Sequence, residues 1–182
     1  MTLRLFFILL IHLAPVALVA RAEDAIQWRH LAQANGISLS ANPLTGDART
    51  AFYLARGFTA ASIQPYARRC GFSIGMQNGS ETPIRTSLAD WRVVDAAGQQ
   101  IPLNLPANWD AEWAKASIAP PARLAFRWAQ FQADNDLAPG DWIMGMATLD
   151  GEPMPPFRLI AAYHDDNGDH DLELDALVCA RD

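Results

Sequence analysis

Apolar and polar residues alternate with a period of two through much of the chain, and that pattern predicts strands. It is cleanest near the end. Phe157–Asp166 and Asp169–Cys179 flank Asn167-Gly168, a dipeptide that strongly favours a two-residue hairpin turn. A turn centred there opposes Tyr163 to Leu172, Ala161 to Leu174, Leu159 to Ala176 and Phe157 to Val178 on an apolar face. His164 opposite Asp171 and Ala162 opposite Glu173 join Arg158 and Asp175 on a polar face, and His170 falls opposite Asp165. The first face is expected to be core and the second solvent, which fixes the register. Cys179 falls on the solvent parity, so the strand must end or twist before it if Cys179 is to turn inward.

The same period appears upstream. Cys70, Phe72, Ile74 and Met76 alternate with small or polar residues until Asn78-Gly79-Ser80 closes the segment. Leu88–Asp95 reads as a strand with Trp91 and Val93 on one face. Ala96-Ala97-Gly98-Gln99 then turns the chain into a short Ile101–Leu105 segment. Arg123–Phe131 reads as an amphipathic strand that points Leu124, Phe126 and Trp128 at the core. After a Pro139-Gly140-Asp141 turn, Trp142–Leu149 is apolar on both faces, as a central strand would be.

Helical signals are short. Asp47 is placed to cap a helix through Arg56, stopped by Gly57. Thr59 is placed to cap Ala60–Gln64, with Pro65 as its limit. Asn108 would cap a turn bearing Trp109 and Trp113, which Pro120-Pro121 ends. Residues 23–41 carry only weak periodicity, around Asn42-Pro43-Leu44-Thr45-Gly46 as a turn. The expected fold is mainly β: an antiparallel immunoglobulin-like β-sandwich, with short helices before the first strands and one mid-chain helical turn. The Cys70–Trp91–Cys179 spacing is not that of a true immunoglobulin domain, so the likeness is one of architecture only.

The N-terminus breaks the pattern. Leu5–Ala20 is an apolar run interrupted only by His12 and Pro15, preceded by Arg4 and followed by Ala20-Arg21-Ala22. A basic start, a short apolar run and a small-x-small site predict a cleaved export signal over residues 1–22. Residues 23–182 then form a single domain, periplasmic in a bacterial source or secreted otherwise, and not membrane-anchored after cleavage.

Composition sharpens this reading. Losing Arg4 and Arg21 leaves 12 basic residues against 20 acidic ones. That balance argues against nucleic acid or an anionic membrane as partner. The two cysteines, Cys70 and Cys179, are expected to pair as a disulfide in an oxidising compartment.

Candidate chemistry is sparse. Met144 and Met146 share a strand parity and, with Met154, offer thioether donors suited to Cu(I). Core filling is the simpler account, since Trp142 lies on the same parity. His164 and His170 fall on opposite faces and pair with aspartates, which disfavours a shared metal. Asp165, Asn167 and Asp169 resemble the opening of a calcium loop, but His170 and Ala176 stand where that loop needs Gly and Glu. Among the six tryptophans, Trp91, Trp128 and Trp142 are expected in the core, and Trp109 and Trp113 are the candidates for an exposed partner surface. The hydrolase, metalloprotease and phosphate-loop motifs are missing. The favoured reading is an exported accessory or binding module, without catalysis or cofactor, that contacts another exported protein. The alternative is a copper-handling protein built on Met144 and Met146.

Overall fold

The structure, a computed structural model, describes residues 27–182. The export signal expected over residues 1–22 lies outside the described residues. The chain opens on a hairpin, β1 (His30–Ala34) and β2 (Ile37–Leu44), turned by Asn35 and Gly36 at φ 52° and 79°. Those are the left-handed angles a type I′ turn requires. Two helices follow, α1 (Gly46–Leu54) and α2 (Ala60–Ala67), then β3 (Gly71–Asn78), β4 (Ile84–Ser87) and a 3-10 turn over Leu88–Asp90. Next come β5 (Arg92–Val94), β6 (Gln100–Pro102), α3 (Pro106–Lys115) and α4 (Pro120–Ala129). Strands β7 (Asp134–Leu137), β8 (Trp142–Thr148), β9 (Phe157–Asp165) and β10 (Gly168–Leu177) complete the described fold.

The strands form two antiparallel sheets in a sandwich-like arrangement. One has the order β1-β2-β3-β8. In the other, β9 pairs with β10 along its length, while β5 and β4 share its second edge and carry β6 and β7 outward. Ile37, Leu39, Phe72, Ile74 and Met76 of the first sheet meet Val93, Leu159, Ala161, Leu172 and Leu174 of the second, with Trp91 from just before β5, in one continuous core. The alternation noticed in β3 is the cause: its apolar parity is sealed and its small polar parity faces away.

A second apolar cluster sits on the far side of the first sheet. Tyr53, Ile63, Tyr66, Trp109, Trp113, Ala122 and Phe126 come from the four helices and Phe58 from the loop between α1 and α2, and Met146 of β8 packs against them. Gln130 bridges two of its phenols, donating to the Tyr53 hydroxyl at 2.7 Å and accepting from the Tyr66 hydroxyl at 3.3 Å. Burial drives both phenol pKa values upward, that of Tyr66 to about 12. The buried Arg49 guanidinium donates to the carbonyls of Tyr66, Ala67 and Arg69, closing the C-terminal end of α2.

Several expectations from the sequence are corrected. The expected strand over Arg123–Phe131 is mostly helix. Pro120 and Pro121 do not end a helical turn but open α4, where a missing N–H costs nothing. Helical geometry sends Ala122 and Phe126 inward and leaves Trp128 77% exposed, so only one of the two aromatics expected in the core is there. Trp109 and Trp113 are buried, at 5% and 2%, and offer no partner surface. Strand β8 lies at an edge of its sheet rather than at the centre, and Trp142 is 66% exposed. Thr45, not Asp47, caps α1, and α2 continues past Pro65 because Tyr66 and Ala67 are buried beyond it.

The final hairpin has the expected faces in a shifted register. Gly168 pairs with Asp165 and Leu172 with Ala161, so Asp166 and Asn167 form the two-residue loop and every pair moves by two. A shift of two preserves the side-chain parity. Thus His164 meets Asp169 rather than Asp171, at 2.8 Å, while His170 still reaches Asp165 at 2.8 Å. A bulge between Leu174 and Leu177 then reverses the parity: Ala176 and Val178 turn outward and Leu177 enters the core. Cys179 thereby reaches Cys70, and the two are bonded with 5.2 Å between their Cα atoms.

Candidate functional site

The two outer faces of the sandwich differ in chemistry. Outward parity on the β9-centred sheet is charged. Arg92 bridges to Asp171 at 2.8 Å, Arg158 to Glu173 at 2.7 Å, and His164 to Asp169 at 2.8 Å. Arg92, Asp171, His164 and Asp169, with Arg85, Asp134 and Asp136, border a broad groove of about 750 Å³. Arg92–Asp171 reaches over β9 from β5 to β10, and His164–Asp169 joins the neighbouring β9 and β10. The acids along β10 also discourage further strand pairing at that edge.

The outer face of the β1-β2-β3-β8 sheet has another composition. Register sets side chains in rows across the strands. Gln33, Ser38, Gln77 and Trp142 form one row, and Leu31, Ser40, Gly75 and Met144 form the next. With strands about 4.8 Å apart, each row spans roughly 14 Å. Together with Trp28 they line an open groove of about 360 Å³ that contains no ionisable residue.

The sequence builds this floor by putting small residues on the outward parity of β2 and β3. Ser40 is buried and donates to the Gly75 carbonyl at 3.2 Å. Gly75 is needed because a Cβ there would stand 2.8 Å from the Trp28 ring, which lies over it. Trp28 is held by its neighbours: Arg29 N–H donates to the Asn42 side chain at 2.7 Å, and the Asn42 amide donates to the Gln27 carbonyl at 3.1 Å. One indole therefore lies on the floor and a second, Trp142, stands at the β8 end. Met144 lies between floor and edge at 38% exposure, and Leu31 at 59% borders the opposite side.

The sequence-derived candidates are distributed differently. Met144 is in this groove. Met146, one row further along β8, accepts from the Tyr53 hydroxyl through its sulfur at 3.8 Å and is packed on the helical cluster. Met154 lies beside the turn between β5 and β6, where its N–H donates to Asp95 at 3.1 Å. The three methionines are not brought together, and among the described residues no group of three or more His, Cys, Asp or Glu is placed to hold a metal ion. Trp109 and Trp113 belong to the interior. Trp28 and Trp142 were not anticipated as site residues. Asn35-Gly36 was the available signal, because it marks β1 and β2 as a hairpin and so sets Trp28 at the margin of a sheet.

Comparisons with known proteins add little. No family model matches the sequence, and no curated protein matches it significantly. Among solved structures, the crystal structure of the yjhA protein from Bacillus subtilis is similar at a TM-score of 0.40 and 10% identity, over 72% of this chain and 76% of that one.

Proposed function

We propose that the chain is an exported accessory or binding module, acting outside the cytoplasm without catalysis, and that it recognises its partner through the outer face of the β1-β2-β3-β8 sheet. The observation that carries this reading is the placement of Trp142, Trp28, Met144 and Leu31 around one uncharged groove in an otherwise acidic chain. Large apolar side chains grouped at a surface mark interaction sites. The groove has no ionisable side chain to activate its Ser38 and Ser40 hydroxyls or to move a proton, which supports a chemistry of recognition. Export is supported by the leader pattern of residues 1–22 and by the Cys70–Cys179 disulfide.

Site-specific photo-crosslinking in the source cell tests this. A photoreactive residue replacing Met144 should yield an adduct with a cell-envelope component, and Trp142→Ala should abolish it. The same residue replacing Asp166 at the hairpin tip should yield none. Equal adducts at both positions, or none at 144, would refute the assignment of this face. Sequencing of the exported protein should begin at Glu23.

A further inference from the structure

We propose that the ligand of this face is a neutral glycan chain laid across the strands along the row from Gln33 to Trp142, beside the Trp28 ring. The inference rests on the reading of this face as the recognition surface and names the class of molecule it takes. Three observations select that class. First, no side chain lining the groove is ionisable, in a chain with 14 basic and 20 acidic residues. A charged peptide, a nucleic acid or an acidic polysaccharide would find no counter-charge there. Second, the two indoles offer electron-rich faces to a C–H-bearing surface, and one face of a pyranose ring is such a surface. Third, the rest of the row that Trp142 ends is polar: Gln33 and Gln77 are exposed amides, and Ser38 is a half-buried hydroxyl. A lipid tail or an apolar protein surface would desolvate those amides without replacing their hydrogen bonds, which is costly. Sugar hydroxyls can replace them as both donors and acceptors.

Geometry agrees. The rows run perpendicular to the strands, and a row roughly 14 Å long suits a short oligosaccharide segment in an open groove. An extended peptide would instead add to a sheet edge, where backbone groups are free, rather than lie on a face of side chains. The two indoles differ in how they are set. Trp28 is seated because Gly75 has no side chain. Trp142 is 66% exposed and needs no such accommodation. Replacing Trp142 therefore tests binding with little risk to folding, and Gly75→Ala tests it by lifting the Trp28 ring from the floor.

The experiment is an NMR titration of the exported protein with neutral hexasaccharides of glucose, xylose, mannose and N-acetylglucosamine, followed through the indole and side-chain amide signals. At least one sugar should shift the Trp28 and Trp142 indoles and the Gln33 and Gln77 amides while leaving the Trp109 and Trp113 indoles in place. Trp142→Ala should weaken that binding on the order of tenfold, as loss of one stacking ring does. Gly75→Ala should weaken it too, with the Trp142 signal still responsive. No shift with any sugar at about 10 mM, beyond the weak millimolar range, overturns the proposal, as does binding that Trp142→Ala leaves unchanged. If no sugar binds but the crosslink at 144 joins a protein and depends on Trp142, the glycan falls and the binding face stands. If the crosslink also fails, both fall.

Discussion

Phe126 and Trp128 sit two residues apart, and replacing each by alanine separates a helix from a strand. On a strand both would face the same side, and both alanine variants would open a core cavity. On α4 only Phe126 faces inward. Its ring is fully buried and lies 4.9 Å from Tyr53, 5.0 Å from Tyr66, 5.3 Å from Trp113 and 5.9 Å from Phe58, measured between centroids. Removing it loses the transfer free energy of a buried aromatic side chain, about 1.5–3 kcal/mol. It also leaves a cavity that four rigid rings cannot collapse to fill. Phe126→Ala should therefore cost about 3–5 kcal/mol. Trp128 is 77% exposed, so Trp128→Ala should stay within about 0.5 kcal/mol. Urea unfolding followed by far-ultraviolet circular dichroism measures both, provided the slope with denaturant is unchanged. A loss near 3 kcal/mol for Trp128→Ala, or under about 1 kcal/mol for Phe126→Ala, would refute the helical placement of this segment.

Three further predictions concern other parts of the fold. A Cβ at Gly145 would strike the backbone of Gln130 and Phe131 where that segment crosses β8, so Gly145→Ala should be strongly destabilising in the same assay, whereas Gly98→Ala meets no steric obstacle and suffers only from its positive φ of 81°. Asp95 is held below the usual carboxylate range chiefly by the Met154 N–H, Asp110 by the Arg123 guanidinium and Asp165 by the His170 ring. Such groups add stability above the ordinary carboxylate pKa of about 4 and lose it as the pH falls through their lowered values, so thermal melting should weaken below about pH 4, less steeply in Asp95→Asn. Met144→Leu and Met146→Leu should each change stability by less than about 1.5 kcal/mol. Competition against a Cu(I) chelator should show the same result with and without them, and tight binding lost in the double variant would restore the copper reading.

How much of this was legible in the sequence depended on which signal governed each segment. The mainly β fold and the disulfide followed from period-two alternation, turn dipeptides and an even cysteine count. Residues 123–128 misled because Leu124, Phe126 and Trp128 alternate with Arg123, Ala125 and Arg127, as they would on a strand. The helical signal, Ala122 and Phe126 spaced by four with Pro120 at the first turn, was present but weaker. Strands β4 and β7 were missed because they are four residues each and outwardly charged. The site was less legible still. Hydrophobic partition assigns tryptophan inward, and that rule succeeds for Trp91, Trp109 and Trp113 and fails for Trp128 and Trp142. No periodicity argument identifies an aromatic residue kept at the surface, because it occupies an outward position that pattern alone fills with polar residues.

The bulge in β10 shows how one residue reconciles two demands on a single strand. From Asp169 to Asp175 the outward parity is entirely acidic, which protects an edge strand, and the inward parity supplies Leu172 and Leu174 to the core. Continued unchanged, that parity would bury Ala176 and Val178 and turn Cys179 to solvent. Inserting one residue, with Ala176 at φ 54°, sends Leu177 inward and brings Cys179 to the start of β3. The disulfide then ties the edge of one sheet to the other across a sequence separation of 109 residues, worth about 4–5 kcal/mol in the chain-entropy model. Beyond it, Asp182 accepts the Asp47 N–H at 3.0 Å, so the last residue supplies an anion at the N-terminal end of α1. The same sheet that this link anchors at Gly71 and Cys70 carries Gly75 and Gln77 further along β3. The floor of the uncharged groove therefore lies on the strand whose start the disulfide ties to the other sheet.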